Sequence, residues 1–255
     1  MLARKNKQAW RALWVSAAFA AAPTATSAAE LVVAAASSLS NAFTEMAVGF
    51  EKQHEGVQVL SSFAASDVLM QQIVHGAPVD VYASADQKAM DKAVAAAAIK
   101  ADTRADFAQN EVVLIVPAAN LFNITSLADL ARSGVSRIAY GNPATVPVGR
   151  YTQQSLEQSG DWSTVAQHKI LGQNVRQVLD YVARGEVDAG FVFATDAALI
   201  PDQVQVVVAL ESPVPVSYPI AIVQNTKQSE LAQAYKDYVL SAEGQAILAR
   251  YGFKQ

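Results

Sequence analysis

The chain has no cysteine among its 255 residues, which excludes disulfides, thiolate metal centres and a cysteine nucleophile. Histidine is nearly as scarce. His54, His75 and His168 stand far apart and show no metal-ligand spacing, so all three are read as surface residues. Clustered positive charge is missing too: 19 Lys and Arg face 23 Asp and Glu, a formal charge of −4. Phosphate backbones need clustered cations, so nucleic acid is not an expected partner. No G-x-S-x-G elbow and no P-loop occurs, which leaves an enzyme only isolated carboxylates such as Asp80, Asp188 or Asp196.

No segment is apolar for long enough to cross a bilayer. Ala12 to Ala22 is a short apolar run behind Arg4, Lys5, Lys7 and Arg11, and Thr26-Ser27-Ala28 supplies small residues for cleavage. Met1 to Ala28 therefore reads as a secretory signal peptide, and the product is expected to be exported, in a bacterium to the periplasm. The other 227 residues hold 15 Lys and Arg against 23 Asp and Glu, a formal charge of −8. That length suits one large or two modest domains. They contain no repeat, low-complexity tract or Gly/Ser linker, so two domains would be joined by ordered segments.

What is present is a regular alternation of strand-like and helix-like segments, which means an α/β fold. Leu31 to Ala36, Val57 to Phe63, Val79 to Ala83, Glu111 to Val116, Arg137 to Tyr140, Val187 to Phe193, Val204 to Ala209 and Tyr218 to Val223 read as strands. Between them, Leu39, Phe43, Met46 and Phe50 mark one helix face, Leu69 and Ile73 another, and Val175, Val178, Leu179 and Val182 a third. Ser84 to Gln87 and Ser126 to Asp129 have the form of capping boxes.

Four of the strand-to-helix turns share one chemistry. In Ala34 to Phe43 a strand gives way to small residues and hydroxyls, with Ser38 placed as an N-cap beside free N–H groups at the positive end of a helix dipole, where an anion is attracted without a cationic side chain. In Ser61 to Asp67 a strand runs through small residues into Ser66. Gly141 to Tyr151 is a Pro- and Gly-rich turn that leaves the N–H of Val148 unbonded, and in Gly172 to Val175 Asn174 caps the next helix. Each alone reads as an ordinary capped helix. Together they would collect at the carboxyl edge of a parallel sheet, where ligands of such folds bind.

These segments, with Gly76 to Asp86, Asn174-Val175-Arg176 and Gly190 to Ala197, resemble in order and spacing the periplasmic molybdate-binding proteins of ABC transporters. The ending from Ala242 to Phe253 looks like the close of many solute-binding proteins. The resemblance covers essentially the whole chain after the signal. It implies a two-lobed type II periplasmic binding protein fold, each lobe a doubly wound sheet, with the ligand cleft between lobes. Lobe I would span residues 29–109 and 220–255 and lobe II residues 110–219, hinged near Glu111 to Val116 and Tyr218 to Val223. It further implies that two serines, Ser38 and Ser66, and the backbone N–H groups of Val148 and Val175 hold the anion. The family's ligating tyrosine falls on Phe193, which keeps the ring and loses the hydroxyl. Ser37 is a second candidate beside Ser38, and Thr195 and Ser37 are candidates to replace the missing donor. Arg150 and Arg176, which lie near the site residues in sequence, are read as salt bridges on helix surfaces rather than ligands.

The residue chemistry agrees with that implication. Molybdate, tungstate and sulfate are fully deprotonated dianions that only accept hydrogen bonds, whereas protonated phosphate also needs an acceptor. The expected protein is a monomer without a cofactor that captures molybdate or tungstate and passes it to the membrane permease of an ABC importer. Sulfate or another tetrahedral dianion is the alternative ligand; an enzyme or a sensor domain on the same fold is the alternative class.

Overall fold

In the computed structural model, which describes residues 28–255, the chain builds two five-stranded sheets. The signal-peptide expectation falls on residues 1–27, outside the described ones, and ends at Ala28. The first sheet begins with β1 (Ala29–Ala36), a 3-10 turn over Ser37–Leu39, α1 (Ser40–Gln53), β2 (Val57–Ala64), α2 (Ser66–Val74), β3 (Val81–Ala83), α3 (Gln87–Ala95) and β4 (Ala105–Asn110). The second contains β5 (Val112–Pro117), β6 (Ile138–Gly141), α4 (Pro147–Ser159), α5 (Trp162–Gln167), β7 (Lys169–Gly172), α6 (Val175–Ala183), β8 (Ala189–Phe193), α7 (Ala194–Ala197) and β9 (Val204–Ala209). Then β10 (Val216–Ile222) returns to the first sheet, where α8 (Ser229–Leu240) and α9 (Ala242–Arg250) close the chain.

The strand orders are β2-β1-β3-β10-β4 and β7-β6-β8-β5-β9. In each, three parallel strands meet one antiparallel strand, β10 in the first sheet and β5 in the second. These two strands lie next to the two crossings, which run from Asn110 to Val112 and across residues 210–215. The expected boundary at 219/220 therefore falls inside β10, whose pairings with β3 and β4 from Val216 to Ile222 all lie in the first sheet. Two edge strands, β4 and β7, have no counterpart in the sequence reading. Both are short, and neither shows a clean apolar alternation, with Asp106 and Gln109 in one and Lys169 in the other exposed.

Burial explains why β1 reads as a plain apolar run. Leu31, Val33 and Ala35 join Phe43, Met46 and Phe50 of α1 on one face, while Ala34 joins Leu69 and Ile73 of α2 on the other. A strand covered on both faces carries no polar alternation. Phe43 and Phe50 are fully buried, each worth roughly 1.5–3 kcal/mol relative to exposure, and their rings meet Tyr235 of α8 at 6.2 and 5.1 Å. The helix is thereby fixed against the sheet, and the turn that precedes it is fixed as well. Among the described residues no helix is long and apolar enough to cross a membrane.

Candidate functional site

Four turns, two from each sheet, converge at the carboxyl ends of the parallel strands. After β1, the small side chains of Ala34, Ala35 and Ala36 admit a tight turn, and Ser38 is buried within it. The expected N-cap role for Ser38 is not what the structure shows: α1 starts at Ser40, its N-cap is Leu39, and no side chain caps it. The Ser38 hydroxyl lies instead 3.1 Å from the Tyr218 hydroxyl on β10.

After β2, Ala65 is the N-cap of α2 and Ser66 its first residue, fully buried. Its Oγ accepts the Ala85 N–H at 2.9 Å, and its carbonyl accepts the Tyr82 hydroxyl at 2.9 Å. Burial pushes the Tyr82 phenol far up, so it remains a donor. The neighbouring α3 is capped by Asp86, whose Oδ1 accepts the Ala89 N–H at 3.0 Å. Ser84, the expected cap, bonds the Asp86 carbonyl at 2.8 Å instead.

In the second sheet, Pro147 opens α4. Proline has no N–H and a preset φ, so Val148 supplies the first free donor. A Cβ on Gly149 would sit 1.8 Å from the Gly141 carbonyl oxygen; only glycine lets this helix end press directly onto β6. At α6, Asn174 is the N-cap and accepts the Gln177 N–H at 3.0 Å, leaving Val175 as the first helical residue. Among the described residues no backbone carbonyl accepts the N–H of Ser38, Ser66, Val148 or Val175.

All five expected site residues, Ser38, Ser66, Val148, Val175 and Phe193, line one small, tightly enclosed cavity. Ser37 lines it too, whereas Thr195 does not. Its lining contains no carboxylate, amide, imidazole or cation; apart from serine hydroxyls the side chains are apolar, and the polar character comes from N–H groups at the starts of helices. Phe193 ends β8, is 1% exposed, and packs against the rings of Tyr218 at 5.7 Å and Tyr151 at 6.4 Å. Free N–H groups at helix starts are the chemistry that suits an anion needing donors.

The two arginines bridge the lobes. Arg150 on α4, expected on a helix surface, is buried and reaches into the first lobe, its Nε 2.7 Å from Asp86 Oδ2 and its Nη2 2.5 Å from Asp67 Oδ2. Burial works against its charge, but Asp86 and Asp67 outweigh that and hold the cation firmly protonated. Lys92 also pairs with Asp67. The cluster is therefore neutral, two cations against two carboxylates, and Arg150 is absent from the cavity lining. Arg176 on α6 holds Asp196 at 2.5 Å and crosses to Asn41 Oδ1 at 2.9 Å and the Ser38 carbonyl at 3.3 Å. Asp196 is fully buried, and its Oδ2 has no donor among the described residues. Burial raises its pKa to about 6 against the opposing pull of Arg176. Nothing local in the sequence points to these partners: Arg150 and Asp67 are 83 residues apart. His54, read as a surface residue, is half-buried with its ring stacked on Phe50 at 3.9 Å.

Two α/β lobes, each lending free N–H groups at helix starts to one enclosed space between them, have the architecture of a two-lobed solute-binding protein. The chain belongs to the family of bacterial extracellular solute-binding proteins, whose profile matches residues 31–254. It is 37% identical over 232 residues to the molybdate-binding protein ModA of Escherichia coli (strain K12), covering 88% of each chain. It is 35% identical over 224 residues to ModA of Mycobacterium tuberculosis (strain H37Rv), covering 88% of this chain and 84% of that one. The solved periplasmic molybdate-binding protein of Azotobacter vinelandii superposes with a TM-score of 0.75 at 24% identity, covering 88% of this chain and 99% of that one, which supports the fold.

Proposed function

We propose that this protein is exported, captures molybdate or tungstate in the interlobe cavity, and delivers it as a monomer to the permease of an ABC importer. Ser38 and Ser66 contribute hydroxyl and N–H donors, Val148 and Val175 contribute N–H donors, and Phe193 forms an apolar wall. The observation that carries the reading is the cavity itself: four turns from both lobes bring unpaired N–H groups to one small space whose lining holds no carboxylate. A dianion in that space exchanges water for aimed N–H groups and helix dipoles, which makes its burial tolerable without a buried cation. Six donors at about 1.5–3 kcal/mol each leave ample gross energy after the cost of association. The names of the relatives support molybdate as the ligand, and sulfate remains the alternative.

A melting series with molybdate, tungstate, sulfate, phosphate and nitrate tests this. A ligand that binds only the folded state adds about 4 kcal/mol at a thousandfold excess over Kd. Molybdate and tungstate are expected to give large, similar shifts, sulfate little and phosphate least. Equal shifts with sulfate would make general dianion binding the better description, and no shift with any anion would overturn the function.

A further inference from the structure

Tyr218 is fully buried on β10, 180 residues from Ser38, with its hydroxyl 3.1 Å from the serine Oγ. Taken alone, that pair allows either oxygen to donate. Asn110, at the crossing between the lobes, decides the direction. Its Oδ1 accepts the Glu111 N–H at 2.9 Å, so its Nδ2 must be the atom facing Thr195 Oγ1 at 2.8 Å and the Tyr218 hydroxyl at 3.2 Å. An amide nitrogen only donates. The Tyr218 oxygen therefore accepts from Asn110, and its own proton goes to Ser38, the other hydrogen-bond partner of that hydroxyl among the described residues. Ser38 Oγ accepts in turn, and its proton is left for the cavity.

We propose that Asn110 and Tyr218 are positioning residues that lock the Ser38 hydroxyl as a donor toward the cavity, and thereby select anions that carry no proton. The proposal rests on the oxyanion reading above. Ser66 reaches the same polarity by another route, its Oγ accepting the Ala85 N–H, so both serines present protons to the ligand. Burial raises the Tyr218 phenol well above its usual range, which keeps it protonated. Molybdate and hydrogen phosphate carry the same two charges at mildly alkaline pH, so a field of charges does not separate them. Ser38 and Ser66 oriented as donors do, because at those two positions the P–O–H group of hydrogen phosphate meets a proton instead of an acceptor.

Asn110→Asp inverts the chain while nearly conserving shape. One carboxylate oxygen keeps the Glu111 N–H, and the other accepts where nitrogen donated; Tyr218 then donates to it, accepts from Ser38, and leaves the serine lone pairs facing the cavity. The added charge weakens both dianions alike, so the ratio of their affinities reports proton direction alone. Tyr218→Phe removes the lock without adding charge. Calorimetry with molybdate, and competition by inorganic phosphate against it, should show the molybdate-to-phosphate ratio falling about ten- to a hundredfold in Asn110→Asp, the worth of one charge-assisted hydrogen bond. A smaller fall is expected in Tyr218→Phe. A ratio unchanged in both variants, each folded by circular dichroism and still binding molybdate, overturns the proposal. Should Asn110→Asp not fold, an unchanged ratio in Tyr218→Phe does so by itself. Wild-type protein that binds no anion would instead remove the oxyanion reading, a separate and earlier failure.

Discussion

Replacing Arg150 by methionine removes a charge that holds the lobes together while retaining much of the aliphatic bulk. The Arg150 side chain is 7% exposed and those of Asp67 and Asp86 are each 5% exposed. Removing one partner of a buried ion pair costs about 3–5 kcal/mol, because the remaining charge is stranded. Asp67 keeps Lys92, and Asp86 keeps the Ala89 N–H on its other oxygen, so the effective cost lies toward or below the low end of that range. The strain has an outlet, since opening the cleft returns both carboxylates to water without disturbing either sheet. The loss should therefore appear as a smaller closed population. Because apparent Kd equals intrinsic Kd divided by the competent fraction, molybdate binding should weaken about ten- to a hundredfold. Calorimetry measures the affinity, and small-angle scattering of the free protein should show a larger radius of gyration than wild type, with little change in melting temperature. Unchanged affinity and radius would refute the assignment of Arg150 as an interlobe tie.

Phe193→Tyr would place a hydroxyl on a ring that already lines the cavity; an added charge-assisted donor should tighten molybdate about ten- to a hundredfold with a more favourable enthalpy, and unchanged or weaker binding by calorimetry would mean the hydroxyl does not reach the anion. Asp196, with a folded pKa of about 6 against about 4 unfolded, binds its proton more tightly in the native state. Its contribution to stability is therefore full below about pH 4 and lost as pH rises through 6. Asp196→Asn should remove that decline, so the stability of wild type relative to the variant should fall between these pH values in urea denaturation and level off above; parallel curves would count against the raised pKa.

The strand and helix pattern was legible because it is local: small apolar strands, helix faces at three- and four-residue steps, and Gly or Pro at the stops all act within a few residues of themselves. The position of the site was legible for the same reason, since Pro147 and Asn174 mark helix starts, and free N–H groups follow from any helix start. The strands β4 and β7 were not, because both are short and exposed polar residues, Asp106 and Gln109 in one and Lys169 in the other, interrupt their apolar pattern. Ser38 and Ser84 illustrate the limit more sharply. Both had the form of caps, and competing partners, Tyr218 in one case and the Asp86 carbonyl in the other, took their hydroxyls.

What the sequence determined by itself was thus the class of fold and the kind of chemistry, a set of donors without metal ligands or thiols. Tertiary structure alone decided which charges face one another and which way the hydroxyl protons point. Arg150 meets Asp67 and Asp86, and Asn110 meets Tyr218, across 83, 64 and 108 residues of chain. At such separations a charge or a hydroxyl has no local signature, because its partner is chosen by how strands pair within a sheet, as for Asn110 and Tyr218, or by how the two lobes meet, as for Arg150, and not by the residues beside it.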